Sequence, residues 1–341
     1  MIARRRRRAL AALLASLPLV ARAQQQSVDP FRGRGMPYAA FDQLVATHVA
    51  VGGADIVIGF APGSLDLPQA IIVEWIASSA AVVAAFYGTY PVKRVRVLIV
   101  PDEGNAVRSG TAVGYGGAAL RIVLGRAATQ PALAGDWILI HEMTHLAFPN
   151  VPRAHHWIEE GLASYIEPVA RAQVGKLAEA SVWRQFVDGM PKGLPQAGDR
   201  GLDYTPTWGR TYWGGALFCL IADVEIRKQT NNRHGLQGAL RAIVVAGGNL
   251  EADWPLAQAL DTGDAGVGVA VLSDLHAQMG ATPVAPDLPA MWRQLGIEPA
   301  GKTVTFDNTA PLASLRQSIT RTPRVVSARE LEARPIETKL T

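Results

Sequence analysis

Residues 136–168 read DWILIHEMTHLAFPNVPRAHHWIEEGLASYIEP, and two histidines in this stretch decide how the chain is read. His141, Glu142, Met143, Thr144 and His145 form H-E-x-x-H, and Trp137, Ile138, Leu139, Ile140 and Leu146 around them favour a buried helix. Positions i and i+4 of a helix lie one turn apart on one face, so both imidazoles can reach a single metal ion. Glu142 lies about 100° further round the helix. There it borders the open position of a catalytic zinc site and can take a proton from water that the metal has acidified. A helix with two solvated or core histidines fits the same five residues. A third ligand separates the two readings, because zinc in a catalytic site takes three protein ligands.

Downstream, position 151, where a metzincin would carry its third histidine, is a valine. Fourteen residues separate His145 from Glu160, which lies in Trp157-Ile158-Glu159-Glu160-Gly161-Leu162-Ala163-Ser164-Tyr165. This stretch resembles the W-x-x-E-G-x-A-x-Y of the gluzincin (peptidase MA-like) zinc metallopeptidases, notably the aminopeptidase N and glycyl aminopeptidase families. The resemblance implies that Glu160, immediately before the glycine, is the third zinc ligand and that Glu159 is not. The spacing is shorter than is usual in aminopeptidase N relatives, so the loop at 149–156 must be compact. Pro149 and Pro152 are placed to end the first helix and turn the chain back.

Two further matches extend the resemblance. Glu167 occupies the place of a glutamate that relatives carry seven residues after the ligand, where a carboxylate either orients a ligating histidine or is an exposed helix residue. Thr211-Tyr212-Trp213-Gly214-Gly215-Ala216-Leu217 looks like the Y-x-x-G helix of the same families, which implies that Tyr212 stabilises the oxyanion of the tetrahedral intermediate. Gly214 stands where a lysine is often found. The acidic strand that pins the substrate amine in aminopeptidase N relatives corresponds here to residues 113–120, VGYGGAAL, without a carboxylate. Such a glycine-rich edge strand can still pair with an extended peptide, so exo- and endopeptidase action both stay open. The resemblance spans roughly residues 90–300, with its motifs confined to 137–167 and 208–230.

The rest of the chain fits an α+β architecture. The pattern predicts a hairpin over 46–61 with Gly52 and Gly53 at the turn, a helix over 68–87, and a strand over 93–100 stopped by Pro101. A strand pair over 111–124 completes a small α/β lobe, residues 24–130, built on a mixed or antiparallel sheet whose edge aligns substrate. Helical periods then dominate 131–310: 133–148, 157–174, 177–190, 208–228, 236–246, 254–260, 269–279 and 288–295. Loops rich in glycine and proline are expected at 191–206, 261–268 and 280–289. Residues 311–341 are expected to form a tail. By the resemblance the fold is thermolysin-like, with zinc in the cleft between the lobes.

Charge needs care. The 341 residues carry 33 Lys+Arg against 29 Asp+Glu, net +4. Residues 1–23 hold a run of five arginines at 4–8, an apolar stretch at 9–20 and an Ala21-Arg22-Ala23 step, which together predict a secretory signal peptide. The apolar run is shorter than the ~20 residues that span a bilayer, and Sec and twin-arginine export both fit. Those 23 residues hold six arginines and no acid, so removing them leaves 27 basic and 29 acidic residues, net −2. The remaining chain has no basic patch interleaved with aromatics, so nucleic acid is not an expected partner. The apolar stretch 70–86 carries Glu74 and is expected as a core helix, so no stable membrane insertion is expected after signal cleavage. Cys219, the only cysteine, lies in an apolar run and is expected as a buried small hydrophobe. The expectation is an exported, periplasmic or secreted zinc metallopeptidase acting on peptides or proteins. The alternative is a non-enzymatic periplasmic binding or assembly module that keeps the fold.

Overall fold

The computed structural model of the chain describes residues 29–33 and 35–321. The expected signal segment and most of the expected C-terminal tail lie outside the described residues. After the single turn α1 (Tyr38–Phe41), strands β1 (Ala46–Val51) and β2 (Ala54–Phe60) form the predicted antiparallel hairpin. Gly52 and Gly53 both take positive φ, 56° and 84°, where a Cβ would be strained. Helix α2 (Gln69–Tyr87) crosses back over the sheet and ends at Gly88, whose φ of 83° and N–H to the Ala84 carbonyl close the last turn. This crossover lets β3 (Arg94–Asp102) run parallel to β2. Strand β4 (Val107–Val113) then pairs antiparallel with β5 (Ala119–Gly125), which lies parallel to β3. The sheet is therefore mixed, in the order β1-β2-β3-β5-β4, with β4 on an edge.

Alternation along the strands explains the layers. Ile56, Ile58, Val95, Val97, Ile99, Leu120 and Ile122 face α2 through Ile72, Ile76, Val83 and Phe86. Val57, Leu98 and Ala119 face the other way, onto Phe31, Met36 and Phe41. Full burial of such a side chain contributes about 1.5–3 kcal/mol. The apolar length of α2 is thus spent on the core, as expected for 70–86. Pro101 does not stop β3: pairing with β2 ends at Ile99, so a residue without an N–H is tolerated while β3 continues beside β5 to Asp102.

Helices follow from residue 130. The expected single helix over 133–148 is two, α3 (Gln130–Ala134) and α4 (Ile138–His145). Asp136 causes the break: its carboxylate accepts the N–H groups of Ile138 (3.1 Å) and Leu139 (3.0 Å), restarting the helix as a cap does. Helices α5 (His156–Gln173), α6 (Glu179–Gly189) and α8 (Leu236–Val245) match their predicted positions within a few residues, whereas α7 (Gly215–Gln229) starts seven residues after the predicted 208, behind a π-helical turn at Gly209–Gly214. Helix α9 (Leu256–Val267) runs through the segment expected as a loop at 261–268. Its glycines serve packing: a Cβ on Gly263 would collide with Leu272, and one on Gly266 with Ala242 of α8. Then come α10 (Val271–Met279), α11 (Leu288–Leu295), an unpredicted hairpin of β6 (Ile297–Ala300) and β7 (Thr303–Phe306), and α12 (Ala313–Thr320). Helix α12 corrects the expected tail from 311. Its Arg316 is 1% exposed, donates to the Leu295 and Gly296 carbonyls (3.2 and 3.0 Å), and lies 4.2 Å over the Phe306 ring. One cluster of buried apolar side chains runs from the sheet into these helices.

Candidate active site

Helix α4 presents His141 and His145 on one face, their rings 5.0 Å apart. Helix α5 packs against α4 and brings Glu160 to them. Glu160 Oε2 lies 3.2 Å from His141 Nε2 and 3.7 Å from His145 Nε2. The three donor atoms lie within 4.8 Å of one another. Val151 is buried in the core, away from any ligand role. The compact loop between the helices is held from outside: the Asn150 N–H donates to the Ala252 carbonyl (2.9 Å), and the Trp254 N–H to the Asn150 carbonyl (3.1 Å).

The donors suit a divalent cation. Burial, reinforced by neighbouring His141, pushes His145 down to about 4, so its imidazole is neutral and its lone pair free. Burial alone would raise Glu160, but hydrogen bonds from His141 and His156 and the nearby His145 outweigh it and hold the carboxyl well below its usual range. Among the described residues His141 Nδ1 is buried without a hydrogen-bond partner, which fits a ring oriented by what its Nε2 meets. Two imidazole nitrogens and one carboxylate oxygen are donors of the kind zinc takes in catalytic sites, so these residues fit the ion implied by the sequence.

Glu142 packs against edge strand β4. A Cβ on Gly110 would collide with the Glu142 side chain, so the glycine makes the room that this carboxylate occupies. Burial pushes Glu142 up to about 7; the proximity of His141 lowers it, Glu160 raises it, and a backbone hydrogen bond from Ala112 lowers it. A carboxyl poised near neutrality is suited to exchange protons at working pH.

Tyr212 faces the same cleft. Its ring stacks 6.4 Å from that of His141, at 22°. Burial, then the charges of Glu160 and Glu142, push its phenol to about 12, so it stays protonated and able to donate. Residues Gly209–Gly214 form a π-helical turn leading into α7, a local widening common at functional sites. Below it, a Cβ on Gly161 would collide with the Gly215 backbone, and one on Gly215 with the Trp157 carbonyl. This close crossing of α5 and α7 sets Tyr212 over Glu160. All five residues singled out in the sequence, His141, Glu142, His145, Glu160 and Tyr212, line one cleft of about 410 Å³ together with Gly110, Ala112 and His156.

Other predicted residues fall elsewhere. Glu167 is buried, not an exposed helix residue, and accepts from Arg171 (2.7 Å). Cys219 is fully buried, and burial raises its thiol further, as expected of a small hydrophobe. Within the glycine-rich stretch expected as the substrate edge, 113–120, the edge strand has already ended at Val113, and it is Gly110 and Ala112 that border the cleft. His156, which the sequence left open as either a cleft-lining or a solvated loop histidine, lines the cleft: its Nδ1 lies 2.8 Å from Glu159 and its Nε2 3.3 Å from Glu160 Oε1. Its position four residues before Glu160 on α5 was the available signal. Hydrogen bonds with Glu159 and Glu160 raise the imidazole to about 10. Glu251 accepts the Ala118 N–H (2.8 Å) and lines a neighbouring cavity rather than this cleft.

No protein-family model matches the chain, and no curated protein does. Among solved structures, the fold is similar to that of an aminopeptidase N family protein from Idiomarina loihiensis, with a TM-score of 0.55 and 13% identity over 75% of this chain. An M1 zinc metallopeptidase from Deinococcus radiodurans aligns with a TM-score of 0.46 and 17% identity over 72% of this chain. The aligned region covers 49% and 52% of those two structures, so the chain spans about half their length. The resemblance read from 137–167 and 208–230 thus extends to the fold, a mixed α/β arrangement with a five-stranded sheet and many helices.

Proposed function

We propose that this chain is an exported, zinc-dependent metallopeptidase. The observation that carries the proposal is the convergence of His141, His145 and Glu160 with a poised carboxylate, Glu142, and a protonated phenol, Tyr212, in one cleft beside a sheet edge. His141, His145 and Glu160 would hold the zinc, in a cleft between the sheet and the helices as in thermolysin-like enzymes. Zinc, when bound, supplies a Lewis acid that polarises the scissile carbonyl and acidifies water. Edge strand β4 offers backbone groups around 110–112 to an extended peptide. Glu142 takes the proton of the attacking water on a carboxylate oxygen as oxygen bonds to the carbonyl carbon. The same oxygen returns that proton to the amine nitrogen as the C–N bond breaks. Tyr212 Oη donates a hydrogen bond to the developing oxyanion, a contribution of about 3 kcal/mol for one preorganised donor.

Substrates are peptides or proteins, with no role for nucleic acid, and the site of action is the periplasm or outside the cell. A peptide-library digest with free and with blocked N-termini tests the function and separates exo- from endopeptidase action. Cleavage lost on chelation and restored by zinc is the expected result. Zinc uptake without cleavage of any library member would favour the non-enzymatic binding or assembly module instead.

A further inference from the structure

A second cluster of the same donor types lies outside the cleft. His155 ends a short 3-10 turn, Arg153–His155, just before α5; Asp203 lies in the loop between α6 and α7; His276 is on α10. His155 Nδ1 stands 2.8 Å from Asp203 Oδ1, and His276 Nε2 stands 3.0 Å from Asp203 Oδ2. One donor atom from each lies within 4.8 Å of the other two, the same compactness as His141, His145 and Glu160. The two imidazoles meet edge to face, 5.6 Å apart.

The surroundings hold this arrangement in place. The Leu202 and Asp203 N–H groups donate to the Met279 and Gly280 carbonyls (3.0 and 2.9 Å), tying the loop to the end of α10. Gly201 takes φ 93°, and a Cβ there would collide with the Gly280 backbone, so the approach depends on glycine. Trp157 Nε1 donates to Asp203 Oδ1 (2.8 Å), orienting the carboxylate as metal-binding carboxylates are commonly oriented. The His276, Trp157 and His155 side chains converge on the Asp203 carboxylate, at 3.0, 2.8 and 2.8 Å. Among the described residues its ion-pair partners are those two histidines.

We propose that His155, Asp203 and His276 form a second divalent-metal site, for a borderline ion such as Zn²⁺. Two nitrogens and one oxygen suit that ion, and the His155 and His276 side chains keep 23% and 25% of their surface exposed. Ligands at about 2.0 Å in a tetrahedron are about 3.3 Å apart, close to the 2.8 and 3.0 Å at which the two imidazoles already stand from the carboxylate. The imidazole protons then move to the ring nitrogens that face away from the ion. The ion pins the start of α5, and with it Glu160, to the 191–206 loop and to α10.

Zinc uptake by metal-free protein in equilibrium dialysis tests this. The wild type is expected to bind one equivalent more than Asp203→Asn or His276→Ala, with each variant's fold checked by circular dichroism. Independently, a His145→Ala/Glu160→Gln double variant is expected to keep one equivalent, which does not depend on the cluster variants folding. If the cluster variants match the wild type in uptake, or the double variant binds no zinc, the cluster is a hydrogen-bonded clamp and the proposal is overturned. If the wild type binds a single equivalent that Asp203→Asn removes, the second site stands and the zinc-peptidase reading falls.

Discussion

His141, His145 and Glu160 on one side, and His155, Asp203 and His276 on the other, offer an ion the same three donors at similar separations. Around the first trio stand Glu142 at about 7 and Tyr212 at about 12, both facing an open cleft along β4. Around the second stand Trp157, which donates to the carboxylate, and a loop stapled to α10. Metal-binding geometry alone therefore does not make a catalytic centre. A raised carboxyl, a protonated phenol and an open cleft distinguish the first trio, while hydrogen bonds that tie its loop to α10 distinguish the second.

Glu142→Gln breaks the comparison most severely. It should leave zinc content unchanged while lowering kcat by about 10³-fold, within the range for loss of a general base, measured on any library peptide the wild type cleaves. Tyr212→Phe should cost about 10²-fold in kcat, with KM little changed, because its hydrogen bond is used at the oxyanion. Gly110→Ala removes no functional group but displaces Glu142. A loss of about tenfold is expected, short of the ~10²-fold that a 1 Å misplacement can cost. Unchanged kinetics in that variant would mean that the sheet edge does not position the base.

The pH profile sharpens the same contrast. Burial raises Glu142 above its ordinary 4.5 to about 7, so the proton-accepting form is depleted as pH falls. A bound cation nearby favours the carboxylate and moves the transition down. The acid limb of kcat/KM should therefore fall between those two values, and activity that persists unchanged below the lower one would exclude Glu142 as the base. The smallest effect is expected at the second trio. Asp203→Asn should lower the zinc-saturated Tm by several degrees, while the metal-free Tm changes less.

Much of this was legible in the sequence where local pattern and tertiary role agree. The apolar length of α2, the alternation of β3 and the Gly52-Gly53 turn each depend on residues close in the chain, and H-E-x-x-H places its own ligands by helical spacing. Glu160 required a resemblance, since nothing local distinguishes it from Glu159. The rest depends on segments that meet only in the fold. Gly110 matters because β4 passes over Glu142, and His155, Asp203 and His276 are separated by 48 and 73 residues. Gly263 and Gly266 looked like loop residues because glycine marks both turns and close helix contacts, and here α10 and α8 require the second. Arg316 fell within the expected tail, yet it is buried against the Leu295 and Gly296 carbonyls, Glu179 and Asn308.

The most direct test of the central claim pairs zinc analysis with peptide turnover for the wild type and Glu142→Gln. The account predicts equal zinc content in the two proteins, with cleavage by the wild type that chelation abolishes and zinc restores, and turnover in the variant reduced by about 10³-fold. A fully zinc-loaded Glu142→Gln protein that cleaves at the wild-type rate would contradict it.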